Sequence, residues 1–317
     1  MLASIQHQME GTKFLRQFVE GKLISPVLLV GPEGVGRRSS ILQAVQESFC
    51  IGTKQEGCLC NSCFVLLQGS HPDLIILRPE GDSDIGIDAI RELIAQTTSY
   101  PSKAKQRVFL IDGVDRLTVP AANAFLKTLE EPPLRSRIFL IAETYDEVLP
   151  TIRSRCGRIN YNHLPEKFIA SMLLQYESDP AKVLVYSRMS EGSVGRAIQY
   201  WGSGRIKLRD QVLKILQSAL DRDLPSLFAS VGDIEKDLVV ALKLLEQVLH
   251  DVLMARVYPV GIINVDRTED ILSIGKRGSL KVWVNLASRV HGLESQYRTT
   301  KLNLPFQFKT ILTESFG

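Results

Sequence analysis

The sequence predicts an α/β layered domain followed by an all-helical half, and two observations carry that prediction. Between residues 26 and 162, short and nearly unbroken apolar runs alternate with helix-like segments. That is the pattern of a buried parallel sheet covered by helices. Beyond about residue 163 the strand signal fades and leucine stripes at helical spacing replace it. A chain of 317 residues suits two or three domains. Its 44% hydrophobic and 23% charged residues are those of a globular protein with real cores.

The strands are expected at Pro26–Gly31, Pro72–Pro79, Gln106–Asp112, Arg137–Thr144 and Arg158–Asn162. Helices are expected between them. "SILQAVQESF" follows the first strand, "DAIRELIAQTT" starts with Asp88 as N-cap, and "AANAFLKTLEE" is stopped by Pro132 and Pro133. Further on, "LPEKFIASMLLQY" and "AKVLVYSRM" read as short helices before the turn "SEGSVGRA". Leu238, Leu242, Leu245, Leu249 and Leu253 form one apolar stripe, and Leu286, Val290, Leu293 and Tyr297 a second. Both are read as core faces. The stretch from "VYPVGIINVDRTED" to "IGKRGS" reads as loop.

Three groups of residues carry candidate chemistry. The first is a glycine loop, Gly31-Pro-Glu-Gly34-Val-Gly36, between a strand and a helix. Its glycine spacing is that of a phosphate-binding loop, whose backbone N–H groups cradle an anion. The next two residues do not fit. Arg37 replaces the lysine, and a planar guanidinium is no substitute for a compact ammonium. Arg38 replaces the hydroxyl that would ligate Mg²⁺, and a fixed cation repels that metal. On the strand "VFLID", Asp112 could still serve a metal-bound water, but the following position is Gly113, which has no side chain to orient an attacking water. Lesions at two separate steps argue against hydrolysis, leaving ATP absent or passively held.

The second group is Cys50, Cys58, Cys60 and Cys63, spaced C-x7-C-x-C-x2-C. Four clustered thiols in a reducing compartment favour a closed structural zinc site over disulfides. The third is "TIRSRC", with Arg155 flanked by Ser154 and Cys156. An arginine offered at a subunit face can stabilise a neighbour's transferring phosphate, although on spacing alone a solvated surface arginine is the plainer reading. Nearby, Glu130 and Glu131 end a helix where the dipole disfavours acids, which invites a functional reason.

Net charge is +3, from 38 basic and 35 acidic residues, too even to argue for nucleic-acid binding. The opening residues lack a basic flank followed by an apolar core, and no apolar run approaches the ~20 residues of a membrane span. A cytoplasmic protein without membrane contact is expected.

Taken with "GSHPDL", "LKTLEEPP", "EGSVGRA" and "KLNLPF", these motifs resemble the delta-prime family of bacterial clamp-loader subunits, part of the DNA polymerase III holoenzyme. The resemblance implies an AAA+ domain with an inserted cysteine cluster over residues 1–163, a small helical lid over 164–204, and a helical collar over 205–317. It implies zinc on Cys50, Cys58, Cys60 and Cys63, with one residue fewer between the second and third ligands than the family has. It implies that Ser154, Arg155 and Cys156 form the motif supplying an arginine finger in trans, with Arg155 the acting group. The lid segment also holds Gly192, Ser193 and Arg196, where Arg196 stands one position late for a nucleotide sensor. Implied partners are the tau/gamma ATPase subunits and the clamp-opening delta subunit, with the sliding clamp and primer-template DNA reached through the complex. Two other readings stay open at this point: an active clamp-loader ATPase using Arg37 as its lysine, and a zinc-dependent nucleic-acid-binding module.

Overall fold

The computed structural model describes residues 14–15, 17–21, 25–54, 57–81, 83–300 and 303–316, with the side chains of 294–300 left aside. Tyr297 of the second stripe therefore lies outside the described side chains. The chain forms two compact units, one comprising residues 1–168 and 192–195, the other 169–191 and 196–317.

The first unit is built on a five-stranded parallel sheet in the order β2-β3-β4-β1-β5. The strands are β1 (Val27–Val30), β2 (Leu74–Leu77), β3 (Arg107–Asp112), β4 (Ser136–Ala142) and β5 (Gly157–Asn160). All five expected runs are strands. Strands β1 and β2 are wholly apolar in sequence, and β4 is buried along its whole length. Strand β1 sits between β4 and β5, with Val27 opposite both Phe139 and Gly157. This arrangement brings the end of β1, where the glycine loop begins, beside the ends of β4 and β3.

Alternation of side chains splits the sheet's apolar residues between two layers. On one face Phe109, Ile111, Ile138 and Leu140 pack against α3 (Ile87–Thr97) and α4 (Val119–Glu130). On the other face Val27, Leu29, Val108 and Phe139 pack against α1 (Arg37–Phe49) and against Leu15, Phe18 and Val19. A short helix α2 (Asn61–Leu67) follows the cysteines, and α5 (Pro150–Arg153) precedes β5.

One expected cap is corrected. Helix α3 is capped by Gly86, and Asp88 stands in the first turn, paired with Arg91 at 3.5 Å. The reason lies upstream. Ile85 is locked to a neighbouring strand-like segment, donating its N–H to the Arg116 carbonyl and accepting from Thr118. The helix must then start immediately after Gly86. Helix α4 ends at Glu130, before Pro132 and Pro133, as the prolines require.

The second unit is helical. Its elements are α6 (Glu166–Leu173, which straddles the division), α7 (Pro180–Met189), α8 (Val194–Gly202, which also straddles it), α9 (Arg205–Leu220), α10 (Leu224–Asp233), α11 (Leu238–Val257), α12 (Thr268–Lys276), α13 (Leu280–Thr300) and α14 (Leu304–Phe316). Both leucine stripes face the core: Leu238, Leu242, Leu245 and Leu249 are buried on α11, and Leu286, Val290 and Leu293 on α13. Leu253 is half-buried.

The stretch read as loop contains helix α12, a second correction. Ile271 and Ile274 are buried on one face, with Glu269 and Asp270 in the first turn and Lys276 in the last, so burial and dipole agree. The segment before it is held by a buried polar network. Asp251, fully buried, accepts from the N–H groups of Ile263 (2.7 Å) and Asn264 (2.8 Å) and from the Asn264 side chain (2.7 Å). Arg209, also buried, donates to both oxygens of Asp266 at 2.7 Å. Arg209 and Asp266 are 57 residues apart, and such a pair carries no periodic signal, so the pattern read as loop. Among the described residues, no helix is long and apolar enough to cross a membrane.

Candidate functional site

The glycine loop has the backbone its sequence promised. Gly34 and Gly36 lie at φ +76° and +102°, in the left-handed region that side chains rarely adopt. Gly36 caps α1, which therefore begins at Arg37 itself. Gly31 has a different constraint, since a Cβ there would sit 2.1 Å from the Tyr161 carbonyl oxygen. The loop's flank is covered by the Gly192–Gly195 turn, which belongs to the same unit. Gly195 donates its N–H to the Gly34 carbonyl at 3.0 Å, and a Cβ on Gly195 would lie 2.8 Å from the Gly34 Cα. Only a glycine against a glycine allows this approach.

Of the two arginines after the loop, Arg37 is buried and Arg38 is half-buried beside Asp112. Arg37 is 8% exposed and donates through Nη1 to the carbonyl of Ala142, the last residue of β4. Burial lowers its pKa, and the carboxylates of Glu143, Asp112, Asp115 and Glu33 oppose that shift. Arg38 places Nη1 4.0 Å from Asp112, and Arg78 places Nε 3.7 Å from the same carboxylate oxygen. Asp112 thus has two guanidinium partners where a hydrated divalent ion would need room and negative charge. Gly113 turns at φ +103° and donates its N–H to the Ile141 carbonyl at 3.0 Å. A side chain at this position would be strained whatever its chemistry. Ser40 is buried within α1, with its hydroxyl donating to the Gly36 carbonyl at 2.8 Å.

The four cysteines converge. Their sulfur atoms all lie within 4.8 Å of one another. Cys50 Sγ is 3.6 Å from Cys58 Sγ and 3.9 Å from Cys60 Sγ. Tetrahedral coordination with Zn–S bonds of about 2.3 Å sets sulfurs about 3.8 Å apart, so the spacing fits a metal of this size. The backbone helps: Gly52 and Lys54 donate N–H groups to Cys50 Sγ at 3.4 and 3.3 Å. The Cys60 backbone N–H, then Thr53, draw the Cys58 thiol down to about 6, toward the thiolate a metal needs. The Cys63 N–H likewise lowers Cys60. Burial raises Cys63, with the neighbouring cysteines adding to the effect. These four residues could hold a metal ion, and the shortened C-x-C step does not keep them apart. Cys156, by contrast, is a thiol pushed up to about 12 by burial, packed against the sheet's core.

Arg155 follows α5. Its side chain is 31% exposed and its nitrogens are fully engaged by its own unit. Nε donates to Glu130 Oε1 at 2.7 Å, Nη2 also meets that oxygen, and Nη1 donates to the Thr151 carbonyl at 2.8 Å and to Ser154 Oγ at 3.1 Å. Arg153 is turned elsewhere, to Asp146 at 2.9 Å. The sequence flagged Glu130 as misplaced without naming its partner. It also missed Arg78, Asp115 and Glu143, whose charges surround Arg37 and Asp112. All three sit at or just beyond strand ends, which is the one signal that could have found them.

The sequence profile of the family described as "DNA polymerase III, delta subunit" matches residues 7–165, half of the chain. The chain is 32% identical to the DNA polymerase III subunit delta' of Haemophilus influenzae over 216 residues, 67% of this chain and 64% of the relative. The chain belongs to the delta-prime clamp-loader family. It is also 33% identical over 156 residues to the gamma/tau subunit of Mycobacterium tuberculosis, covering 48% of this chain and 27% of that one. Among solved structures, a gamma subunit-related protein of DNA polymerase III from Thermotoga maritima superposes with a TM-score of 0.61 at 20% identity, covering 96% of this chain and 98% of the other. That likeness is one of fold, and it extends over nearly the whole polypeptide. In sequence, the chain matches less than two thirds of the length of its delta-prime relatives.

Proposed function

We propose that this protein is a non-hydrolysing subunit of the bacterial clamp loader, helping to load the sliding clamp onto primed DNA in the cytoplasm. Its partners in this reading are the tau/gamma ATPase subunits and the clamp-opening delta subunit, with DNA met through the assembled complex. The observation that carries the proposal is where the two loop arginines go: Arg37 is buried against the sheet and Arg38 lies beside Asp112. Phosphoryl transfer needs a divalent ion bridging the phosphates. Here Asp112, the acid best placed to hold its water shell, already has the Arg38 and Arg78 guanidinium groups beside it, while Arg37 is tied to the sheet.

The chain's contribution to catalysis then lies in Arg155, donated to the γ-phosphate of an adjacent ATPase subunit. A guanidinium there stabilises charge that develops on the transferring group, and such fingers are worth roughly 10³–10⁵ in turnover. Ser154 and Thr151 orient it through Nη1. Residues 164–204 serve as the lid and 205–317 as the collar. Cys50, Cys58, Cys60 and Cys63 hold zinc, which ties α1 to α2 and does no chemistry because all four positions are filled by protein.

The test is the purified chain with Mg²⁺ and ATP. Turnover no higher than that of an Arg37→Ala, Arg38→Ala double variant is expected. Turnover that depends on magnesium and disappears in that variant would mean the chain is an ATPase in its own right.

A further inference from the structure

Glu130 is the last residue of α4, followed by Glu131, Pro132 and Pro133. The carbonyl end of a helix is negative, so a carboxylate there works against the helix that carries it. The structure supplies what that placement gains. Glu130 Oε1 accepts from Arg155 Nε at 2.7 Å and also meets Nη2, closing on one edge of the guanidinium. The opposite nitrogen, Nη1, is spent on Thr151 and Ser154. All three nitrogens of Arg155 therefore serve its own chain. The pair borders an open depression lined also by Ser25, Pro26, Leu129 and Pro132. The side chains of Arg155 and Glu130 remain 31% and 48% exposed.

An arginine that steadies a phosphoryl group must turn a two-donor edge toward its oxygens. The edge best suited to that, Nε with Nη2, is covered by a carboxylate. We propose that Glu130 is a stowing counter-ion: it holds Arg155 against its own subunit and gives it up to a neighbour's phosphate. This rests on the reading of Arg155 as a finger in trans. The exchange makes and breaks no covalent bond. One anion replaces another, and the more highly charged phosphate wins when correctly seated. An exposed ion pair is weak, which suits a hold that must release within each cycle. Glu130 is thus a positioning residue, acting only through Arg155, and it sets how readily unproductive complexes hydrolyse ATP.

The experiment uses the reconstituted clamp-loader complex, assayed for ATP turnover with and without clamp and primed DNA. Glu130→Gln keeps size and a hydrogen-bond acceptor but removes the charge. Glu130→Asp keeps the charge but draws it back beyond reach of the guanidinium. Both variants are expected to raise turnover without clamp and DNA by about 2–5-fold, the span an exposed ion pair controls. The apparent KM for ATP falls, while saturated turnover with clamp and DNA changes by less than about twofold. Glu131→Gln, which alters the adjacent charge, is expected to leave all of these values at wild type. Neither Glu130 variant should have any effect in an Arg155→Ala background.

Unchanged or lowered basal turnover in the two Glu130 variants overturns the stowing role, as does an equal rise in Glu131→Gln. The finger reading fails separately: if Arg155→Ala alone leaves turnover intact, Arg155 is not the acting group, whatever the Glu130 variants do.

Discussion

Replacing Asp112 separates a working ATPase from a structural relic. In an enzyme of this fold the strand-end aspartate serves the magnesium shell, and its loss abolishes turnover. Here its visible partners are Arg38 at 4.0 Å and Arg78 at 3.7 Å. At that separation a charge pair near a surface has a gross attraction of about 4 kcal/mol. Both arginines are more than a third exposed, so each pair contributes about 0.2–1 kcal/mol net. Asp112→Ala should therefore cost about 1–2 kcal/mol, part of it through the weaker field on buried Arg37. In a unit of this size that lowers Tm by about 3–6 °C. The assay is a thermal melt of the isolated chain paired with ATP turnover of the reconstituted complex. Turnover should stay within about twofold of wild type. A loss of tenfold or more, with the complex still assembled, would show that Asp112 serves nucleotide chemistry and would refute the electrostatic argument.

Other consequences follow from the same geometry. Cys58→Ser and Cys63→Ser should each lower bound zinc from one equivalent toward none, measured by atomic absorption, and should expose the remaining thiols to alkylation. Since the folded Cys58 thiol lies near 6 and not at its ordinary 9.0, its contribution to the cysteine lobe is full above the ordinary thiol range and lost as pH falls through about 6. Proton competition for metal acts in the same direction, so zinc retention between pH 8 and 5 should fall, never rise. Asp251→Ala strands the three N–H donors it now satisfies and should cost about 3 kcal/mol, read as a shift of the urea midpoint. Gly31→Ala drives a methyl against the Tyr161 carbonyl. It should lower the melting temperature of the first unit by several degrees, whereas Gly202→Ala, where a Cβ meets nothing within 4 Å, should leave it unchanged.

Much of this was legible in the residues alone because local pattern and global fold agree. The five strands are apolar runs that a buried parallel sheet demands, and each was placed within two residues of its observed ends. The glycine loop was legible because positive φ leaves few choices but glycine. The cysteines were legible because four thiols within fourteen residues have few other uses. What failed was non-local. Asp88 looked like a cap because the strand-like pairing of Ile85 with Arg116 and Thr118 is invisible in sequence. Helix α12 was missed because the segment before it is ordered by Arg209, 57 residues from its partner Asp266, and by the buried carboxylate of Asp251, neither of which shows as a periodic pattern. Arg38 could be read as a lost ligand, but its pairing with Asp112 could not, since β1 and β3 meet only through β4. The acid at Glu130 was visibly out of place, and only the fold revealed Arg155 opposite it.

The central claim is that this chain hydrolyses nothing itself and lends a guanidinium to its neighbour. Steady-state ATP turnover by the complex assembled with Arg155→Ala, with assembly verified by gel filtration, tests it most directly. The account predicts an intact complex whose turnover falls at least tenfold at the adjoining ATPase site. Wild-type turnover from the same intact complex would contradict it.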